Sequence, residues 1–274
     1  MKKISFAIIF LLLKGPPTIC QDTIQLQDYP SNLKIISVII SGKSCSLLFD
    51  TGGGETMISP ALANSLKKNI HGNVTGFRMS GEMIAYPVCD SITVSMGHTK
   101  LFHSVVGVWD IMNLLPKDFP KLDGVLSLKS FENTIITLDL GNNRILIHNS
   151  SSFRKEVSKK TLLQSRFANG LGGNELNIFL ALYKNRNRYW FLFDSGNIGN
   201  MLFSHQSASE WLLETDTTSG NRSFGLTSIM MGKKEISTTA ESASIIYDGA
   251  LNYDILRKSI FIIDFRKKQI WMGQ

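Results

Sequence analysis

Phe49-Asp50-Thr51-Gly52-Gly53-Gly54-Glu55-Thr56-Met57-Ile58-Ser59 decides how this chain is read, because its shape returns as Phe193-Asp194-Ser195-Gly196-Asn197. Each run follows an apolar stretch, Leu47-Leu48-Phe49 in the first and Phe191-Leu192-Phe193 in the second. Upstream of Asp50, residues 32–40 predict a strand, Ser41-Gly42-Lys43 a turn, and residues 44–49 a second strand. The second copy repeats this with a strand over 175–183, a turn over 184–188 and a strand over 189–193. Beyond each Asp-Thr/Ser-Gly, a serine stands as the cap of a short helix: Ser59 before Pro60, and Ser204 before His205. The copies also finish alike. Leu122-Asp123-Gly124-Val125-Leu126 matches Tyr247-Asp248-Gly249-Ala250-Leu251, and Ile135-Ile136-Thr137-Leu138-Asp139 matches Ile260-Phe261-Ile262-Ile263-Asp264. The chain is therefore an internal duplication, and each residue is to be read against its counterpart.

Short β-branched and aromatic runs bounded by Gly, Asn, Asp or Ser predict a mainly β protein with a few brief helices. Residues 21–150 form the expected first lobe and 175–274 the second. Residues 151–174, rich in Ser, Lys, Arg, Asn and Gly without sustained periodicity, are expected to be an irregular linker. Met1-Lys2-Lys3 leads into an apolar run over 4–13, too short to span a bilayer but of the size of a secretory leader, so residues 1–20 are set aside as a signal peptide. Cleavage after Cys20 would leave Gln21 first. Acylation of Cys20 as a lipoprotein is the alternative, although Ile19 suits it poorly. The expected location is thus exported, either periplasmic or secreted, and the leader fits a bacterial envelope or secreted protein. Asn73, Asn149 and Asn221 would accept glycans only in a eukaryotic secretory route.

Two carboxyl groups, one from each copy, supply a specific chemistry. Amide hydrolysis needs a water deprotonated and a substrate atom protonated in the same site. Carboxyls held together cannot both ionise, so their pKa values separate and one serves as base while the other serves as acid. Gly52 and Gly196 permit close approach of the loops, and the Thr51 and Ser195 hydroxyls can bond to the opposite backbone.

The eleven residues from Phe49 to Ser59 resemble the active-site loop of retropepsin-like aspartic proteases, and Phe193-Asp194-Ser195-Gly196-Asn197 resembles the second loop of a two-lobed member. Bacterial exported proteins of this aspartyl protease family are the kind suggested. The resemblance, which includes the element near each lobe's end, covers most of residues 30–274. It implies a bilobal pepsin-like acid protease fold, with two β-barrel-like lobes related by a pseudo-twofold axis. It also implies aspartic endopeptidase activity on extended polypeptides, with Asp50 and Asp194 catalytic and Thr51, Gly52, Ser195 and Gly196 supporting them. One chain completes the site, so a monomer is expected. A flap from the first lobe is expected within residues 74–87, where Gly76, Ser80 and Gly81 loosen the tip; Tyr86 is either its aromatic contact or an ordinary strand tyrosine. Four positions depart from the family. Ser127 and Asn252 stand where glycine is usual, and Gly53 and Asn197 stand where pepsins often have serine. Losing those hydroxyl donors would raise the pair's pKa values and make the optimum less acidic than pepsin's.

The remaining composition excludes more than it adds. Of 274 residues, 43% are hydrophobic and 19% charged, which suits a packed protein rather than disorder. Without the leader, 26 basic and 22 acidic residues leave a net charge of +4. The one basic cluster, Arg154, Lys155, Lys159 and Lys160, lacks interleaved aromatics, so nucleic acid is not an expected partner. The five histidines show no metal-ligand spacing, and no cofactor motif is present, so neither metal nor cofactor is implied. No transmembrane span is expected beyond the leader. Cys45 and Cys89 could form a disulfide in an exported protein, which sequence leaves open. Two rival readings remain: a catalytically inactive relative that binds peptides or proteins, suggested by Ser127 and Asn252, and a two-carboxylate glycosidase, which gains nothing from the paired loops.

Overall fold

A computed structural model of the chain describes residues 22–148, 150–170, 173–211 and 222–273. The expected leader, the cleavage or acylation at Cys20, and the acceptor residues Asn149 and Asn221 lie outside the described residues. Strands β1–β21 and helices α1–α4 are numbered in chain order. The first lobe is an eight-stranded sheet. Its order is β2 (Gln27–Asp28), β3 (Lys34–Ile40), β4 (Lys43–Asp50), β9 (Gly124–Ser127), β5 (Met57–Ile58), β8 (Thr99–Val108), β7 (Met83–Met96) and β6 (Ile70–Phe77). A further β3–β7 pairing curls this sheet on itself. The second lobe is a seven-stranded sheet: β13 (Ser165–Ala168), β14 (Asn177–Lys184), β15 (Asn187–Leu192), β19 (Gly249–Ala250), β16 (Met201–Ser204), β18 (Lys234–Ala243) and β17 (Arg222–Met231).

The duplication seen in sequence is a duplication of topology. In the first lobe β4 runs parallel to β9, and β9 runs antiparallel to β5. In the second, β15 runs parallel to β19, and β19 runs antiparallel to β16. The aspartates preceding Gly124 and Gly249 fasten both copies in the same way. Asp123 Oδ2 accepts the Ser46 amide at 2.9 Å, and Asp248 Oδ2 accepts the Trp190 amide at 2.7 Å. The caps correspond too. Ser59 Oγ accepts the Leu62 amide of α1 (Pro60–Ser65), and Ser204 Oγ accepts the Ser207 amide of α3 (His205–Glu210), both at 3.1 Å.

A third sheet joins the lobes in the order β1 (Asp22–Gln25), β11 (Arg144–Ile147), β10 (Ile135–Asp139), β20 (Ile260–Asp264), β21 (Gln269–Gly273) and β12 (Thr161–Leu163). At its centre the equivalent strands β10 and β20 pair antiparallel, with Ile136 opposite Ile263 and Leu138 opposite Phe261. All five residues of β10 are buried. Strands covered on both faces read as continuous apolar runs, which is the pattern both segments show. The fold is mainly β, bilobal and pepsin-like.

Residues 151–174 were expected to be irregular, yet they carry most of α2 (Ser150–Val157), with β12 and β13 after it. Two apolar side chains one turn apart account for the helix. Phe153 and Val157 pack on Ile135, Ile262 and Trp271, and Phe153 meets Trp271 edge to face at 5.3 Å. A pair of apolar positions in a polar segment is too little for periodicity to register, so the helix depends on its tertiary contact. Cys45 and Cys89 are both buried free thiols, so the structure contains no bond between them.

Gly124 and Gly249 occupy equivalent close approaches. A Cβ on Gly124 would stand 2.1 Å from Met57 O, and one on Gly249 would stand 2.5 Å from Leu202 O. Alanine at either position must separate paired strands, and is expected to lower stability by about 3 kcal/mol. Gly225→Ala, with nothing within 4 Å of the added carbon, should stay within ~0.5 kcal/mol. Urea unfolding of the three variants beside the parent checks the contrast.

Candidate active site

Asp50 ends β4, and Asp194 lies just beyond β15, so each aspartate leaves a buried strand of its own lobe. Reciprocal hydrogen bonds tie the two loops together. The Thr51 hydroxyl donates to Phe193 O at 2.8 Å and accepts the Ser195 amide at 2.8 Å. Ser195 Oγ accepts the Thr51 amide at 3.0 Å. All of this lies in buried surroundings, where an unmade bond costs about 1–3 kcal/mol.

The glycines explain why the carboxyls can meet. A Cβ on Gly52 would stand 2.4 Å from Asp194 Cγ, and one on Gly196 would stand 2.7 Å from Asp50 Oδ2. Each loop leaves a notch that the other loop's carboxyl occupies. The structure thus brings together all six residues singled out from sequence: Asp50, Thr51, Gly52, Asp194, Ser195 and Gly196.

Backbone amides hold the carboxylates. Gly52 donates to Asp50 Oδ1 at 2.9 Å, while Gly196 and Asn197 donate to Asp194 Oδ1 at 2.8 and 3.1 Å. The Asn197 side chain turns away, donating to Asn200 O and Leu251 O. Burial raises the pKa of Asp50, offset in part by the Gly52 and Gly196 amides and by its hydrogen bond with Asp194. Burial and the neighbouring charge of Asp50 raise that of Asp194 well above the usual carboxylate range. Both carboxyls are thus pushed toward the protonated form, and the pair titrates as a unit.

Ser127 and Asn252 stand beneath the two loops with their side chains bonded. The Ser127 hydroxyl donates to Gly54 O at 3.1 Å, and its amide donates to Thr56 Oγ1 at 3.2 Å. Asn252 Nδ2 donates to Gly199 O at 2.7 Å, while Oδ1 caps α4 (Tyr253–Leu256) by accepting the Ile255 amide at 3.0 Å. Both residues support the loops that glycine would have left to backbone contacts alone.

A cleft of about 330 Å³ opens over the pair, walled by Met57, Trp109 and Val125 on one side and by Leu192 and Tyr247 on the other. Its roof is the hairpin of β6 and β7, whose turn spans residues 78–82 within the stretch expected to form a flap. The tip touches the second lobe: Ile246 N–H donates to Met79 O at 3.0 Å, and Met79 packs in the cluster of Phe179, Leu192 and Ala250.

Sequence reading missed Glu55 and Glu175 and left Tyr86 undecided. Glu55 is only 3% exposed, and Tyr86 only 2%. The Tyr86 hydroxyl donates to Glu55 Oε2 at 2.6 Å. Burial, relieved by this bond and reinforced by the charge of Glu175, raises Glu55 to about 7. A glutamate inside an otherwise glycine-rich and apolar loop was the available signal, but only the fold places Tyr86 against it.

The two Asp loops face each other from matched lobes of a pepsin-like fold. No protein-family model matches the chain, and no curated protein does. Among solved structures it is similar to basic 7S globulin from soybean, at 8% identity and a TM-score of 0.57 over 93% of this chain and 95% of that one. It is likewise similar to conglutin gamma, a basic 7S globulin from lupine seeds, at 9% identity and a TM-score of 0.57 over 94% and 95%. At such identities the likeness shows the fold alone. Both relatives are plant proteins, so they lend no support to the bacterial source suggested by the leader. No described helix is long and apolar enough to cross a membrane.

Because the folded-state pKa of Glu55 lies near 7 against an ordinary 4.5, the fold favours its protonated form. That stability is fully present below about pH 4.5 and is lost as pH rises through 7, amounting to about 3 kcal/mol. Urea unfolding between pH 4.5 and 8 should show the decline, and Glu55→Gln should flatten it. An equal slope in the variant refutes the assignment.

Proposed function

We propose that this protein is an aspartic endopeptidase that hydrolyses peptide bonds of extended polypeptides, with Asp50 and Asp194 as the catalytic pair. The observation that carries this reading is the reciprocal bonding of Thr51 and Ser195, which holds the Asp50 and Asp194 carboxyls in contact. Thr51, Gly52, Ser195 and Gly196 act as its support. In the proposed reaction ionised Asp50 takes a proton from a water as that water attacks the scissile carbonyl, and Asp194 gives its proton to the carbonyl oxygen. Collapse of the tetrahedral intermediate returns a proton from Asp50 to the leaving nitrogen and restores the proton of Asp194. Entry of a polypeptide requires the Arg78–Glu82 turn to lift, breaking the Ile246–Met79 bond. One chain supplies both aspartates, consistent with a monomer exported by its leader.

The comparisons favour a second reading, since both similar structures bear the names of globulins rather than peptidases. On that reading the chain binds peptides or proteins in the same cleft without cleaving them.

Incubating residues 21–274 with a mixed peptide library across pH separates the two. Asp50→Asn and Asp194→Asn should each lower kcat/KM on the order of a thousandfold or more. Absence of cleavage from every sample, or cleavage unchanged in both variants, removes the peptidase reading.

The pH profile is a further check. Activity needs the pair to hold a single proton, so it is lost as pH falls and both carboxyls protonate and lost again as pH rises and both ionise, and burial raises the whole window above the usual carboxylate range. The rate should peak at weakly acidic pH, and a maximum at strongly acid pH contradicts the assignment.

A further inference from the structure

Glu55 presents a buried acceptor that the fold does not satisfy. Its Oε2 takes the Tyr86 hydroxyl, but Oε1 has no hydrogen-bond partner among the described residues although the side chain is 97% buried. Such an atom is expensive to leave unpaired, which points to a donor arriving from outside. Glu55 lines the wall of the cleft, and Glu175 of the second lobe lines the same cleft from across it.

The backbone around them is built from residues without side chains. Glu175 Oε1 and Tyr86 Oη lie 2.8 and 3.5 Å from the point where a Cβ on Gly76 would stand. A Cβ on Gly107 would come 3.3 Å from Glu55 Oε1, and one on Gly170 would come 2.4 Å from Glu175 Oε2. Arg78, the basic residue that lines this cleft, is engaged by Glu82 at 3.1 Å.

We propose that Glu55 and Glu175 form a cationic subsite of the cleft, receiving the lysine or arginine side chain of a bound polypeptide. This deepens the reading of the cleft as a polypeptide site and rests on it. A flexible apolar stem ending in N–H donors fits an apolar cleft ending in two carboxyls, and the donors complete the coordination of Glu55 Oε1. A metal ion fits less well, because no group of three or more His, Cys, Asp or Glu side chains able to hold one occurs among the described residues.

Ionisation of the subsite is opposed, since burial raises both carboxyls and the charge of Glu175 raises Glu55 further. The groups acting on Glu55 are Tyr86, Glu175, Lys129 and the Gly107 amide, the last from outside hydrogen-bond geometry. An entering cation lowers both pKa values, so its binding releases protons.

The test uses Asp50→Asn protein, so that binding is read without cleavage. A labelled decapeptide is scanned with lysine, arginine or norleucine at each position, and Kd is measured by fluorescence anisotropy at pH 7.5. At one position the basic residue should bind about tenfold or more tighter than norleucine. Glu55→Gln and Glu175→Gln, made in the same background, should each reduce that ratio to about twofold or less. Glu175 is only partly buried, so its variant keeps the test valid should Glu55→Gln fold poorly. Equal affinity for lysine and norleucine at every position, an advantage that survives both substitutions, or no binding of any peptide overturns the subsite. Cleavage by the parent protein is scored separately. A glutamate-dependent lysine preference without cleavage keeps the subsite and removes the peptidase reading.

Discussion

Two carboxyl groups that repel and resist burial have to be held against each other, and the Thr51–Ser195 bonds supply that constraint. Each hydroxyl reaches the backbone of the opposite loop, so neither loop can shift without unsatisfying buried groups of the other. The bonds work only because both loops are rooted. Asp123 and Asp248 pin the strands that enter them, β9 and β19 lie beneath them, and Ser127 and Asn252 bond to the segments that follow. The β10–β20 pairing then fixes the distance between lobes from the far side of the molecule. The site is over-determined, as a strained arrangement has to be.

Much of this was legible because it is written locally and twice. Apolar strands ending in Asp-Thr/Ser-Gly, serine caps, and Asp-Gly elements near each lobe's end recur in matching order, and the structure gives each pair the same contacts. What was illegible depends on residues far apart in the chain. α2 exists through the packing of Phe153 and Val157 on strands from both lobes, which no window of sequence contains. The Glu55–Tyr86 bond links an active-site loop to a hairpin strand, and Glu175 joins them from the other lobe. Ser127 and Asn252 looked like losses when compared with glycine. Their value as bonding groups appears only with Gly54 and Gly199 beside them.

The two readings of function differ in what they ask of this arrangement. Burying Asp50 and Asp194 opposes folding at neutral pH, because the fold favours protonated forms that solvent does not. A cleft that only binds gains nothing from facing acids fastened by a three-bond network. Replacing both by neutral groups of similar size would preserve its shape and relieve the cost. Both aspartates, both hydroxyls and both notch glycines occur together in this chain, and the proposed endopeptidase reading is the one that gives each of them a task. The globulin likenesses, at 8% and 9% identity, speak to the backbone path and leave that argument standing.

Charge gives the cleft a direction as well as a chemistry. The chain as a whole carries a formal net charge of +7, yet four carboxyls face its cleft: Asp50, Asp194, Glu55 and Glu175. Acidic groups concentrated between low-dielectric walls in a basic protein focus the field at the cleft mouth rather than over the surface. The hairpin strengthens that field by excluding water, and Met79 seated against Phe179 and Leu192 holds it over the cleft. On the proposed endopeptidase reading a polypeptide would have to displace Met79 to enter, so binding energy gathered away from the aspartates would be needed before they are reached. In the proposed subsite a cation on Glu55 and Glu175 would supply such energy at the point where the hairpin strand meets the second lobe. It links opening of the roof to the presence of a chain that fits beneath it.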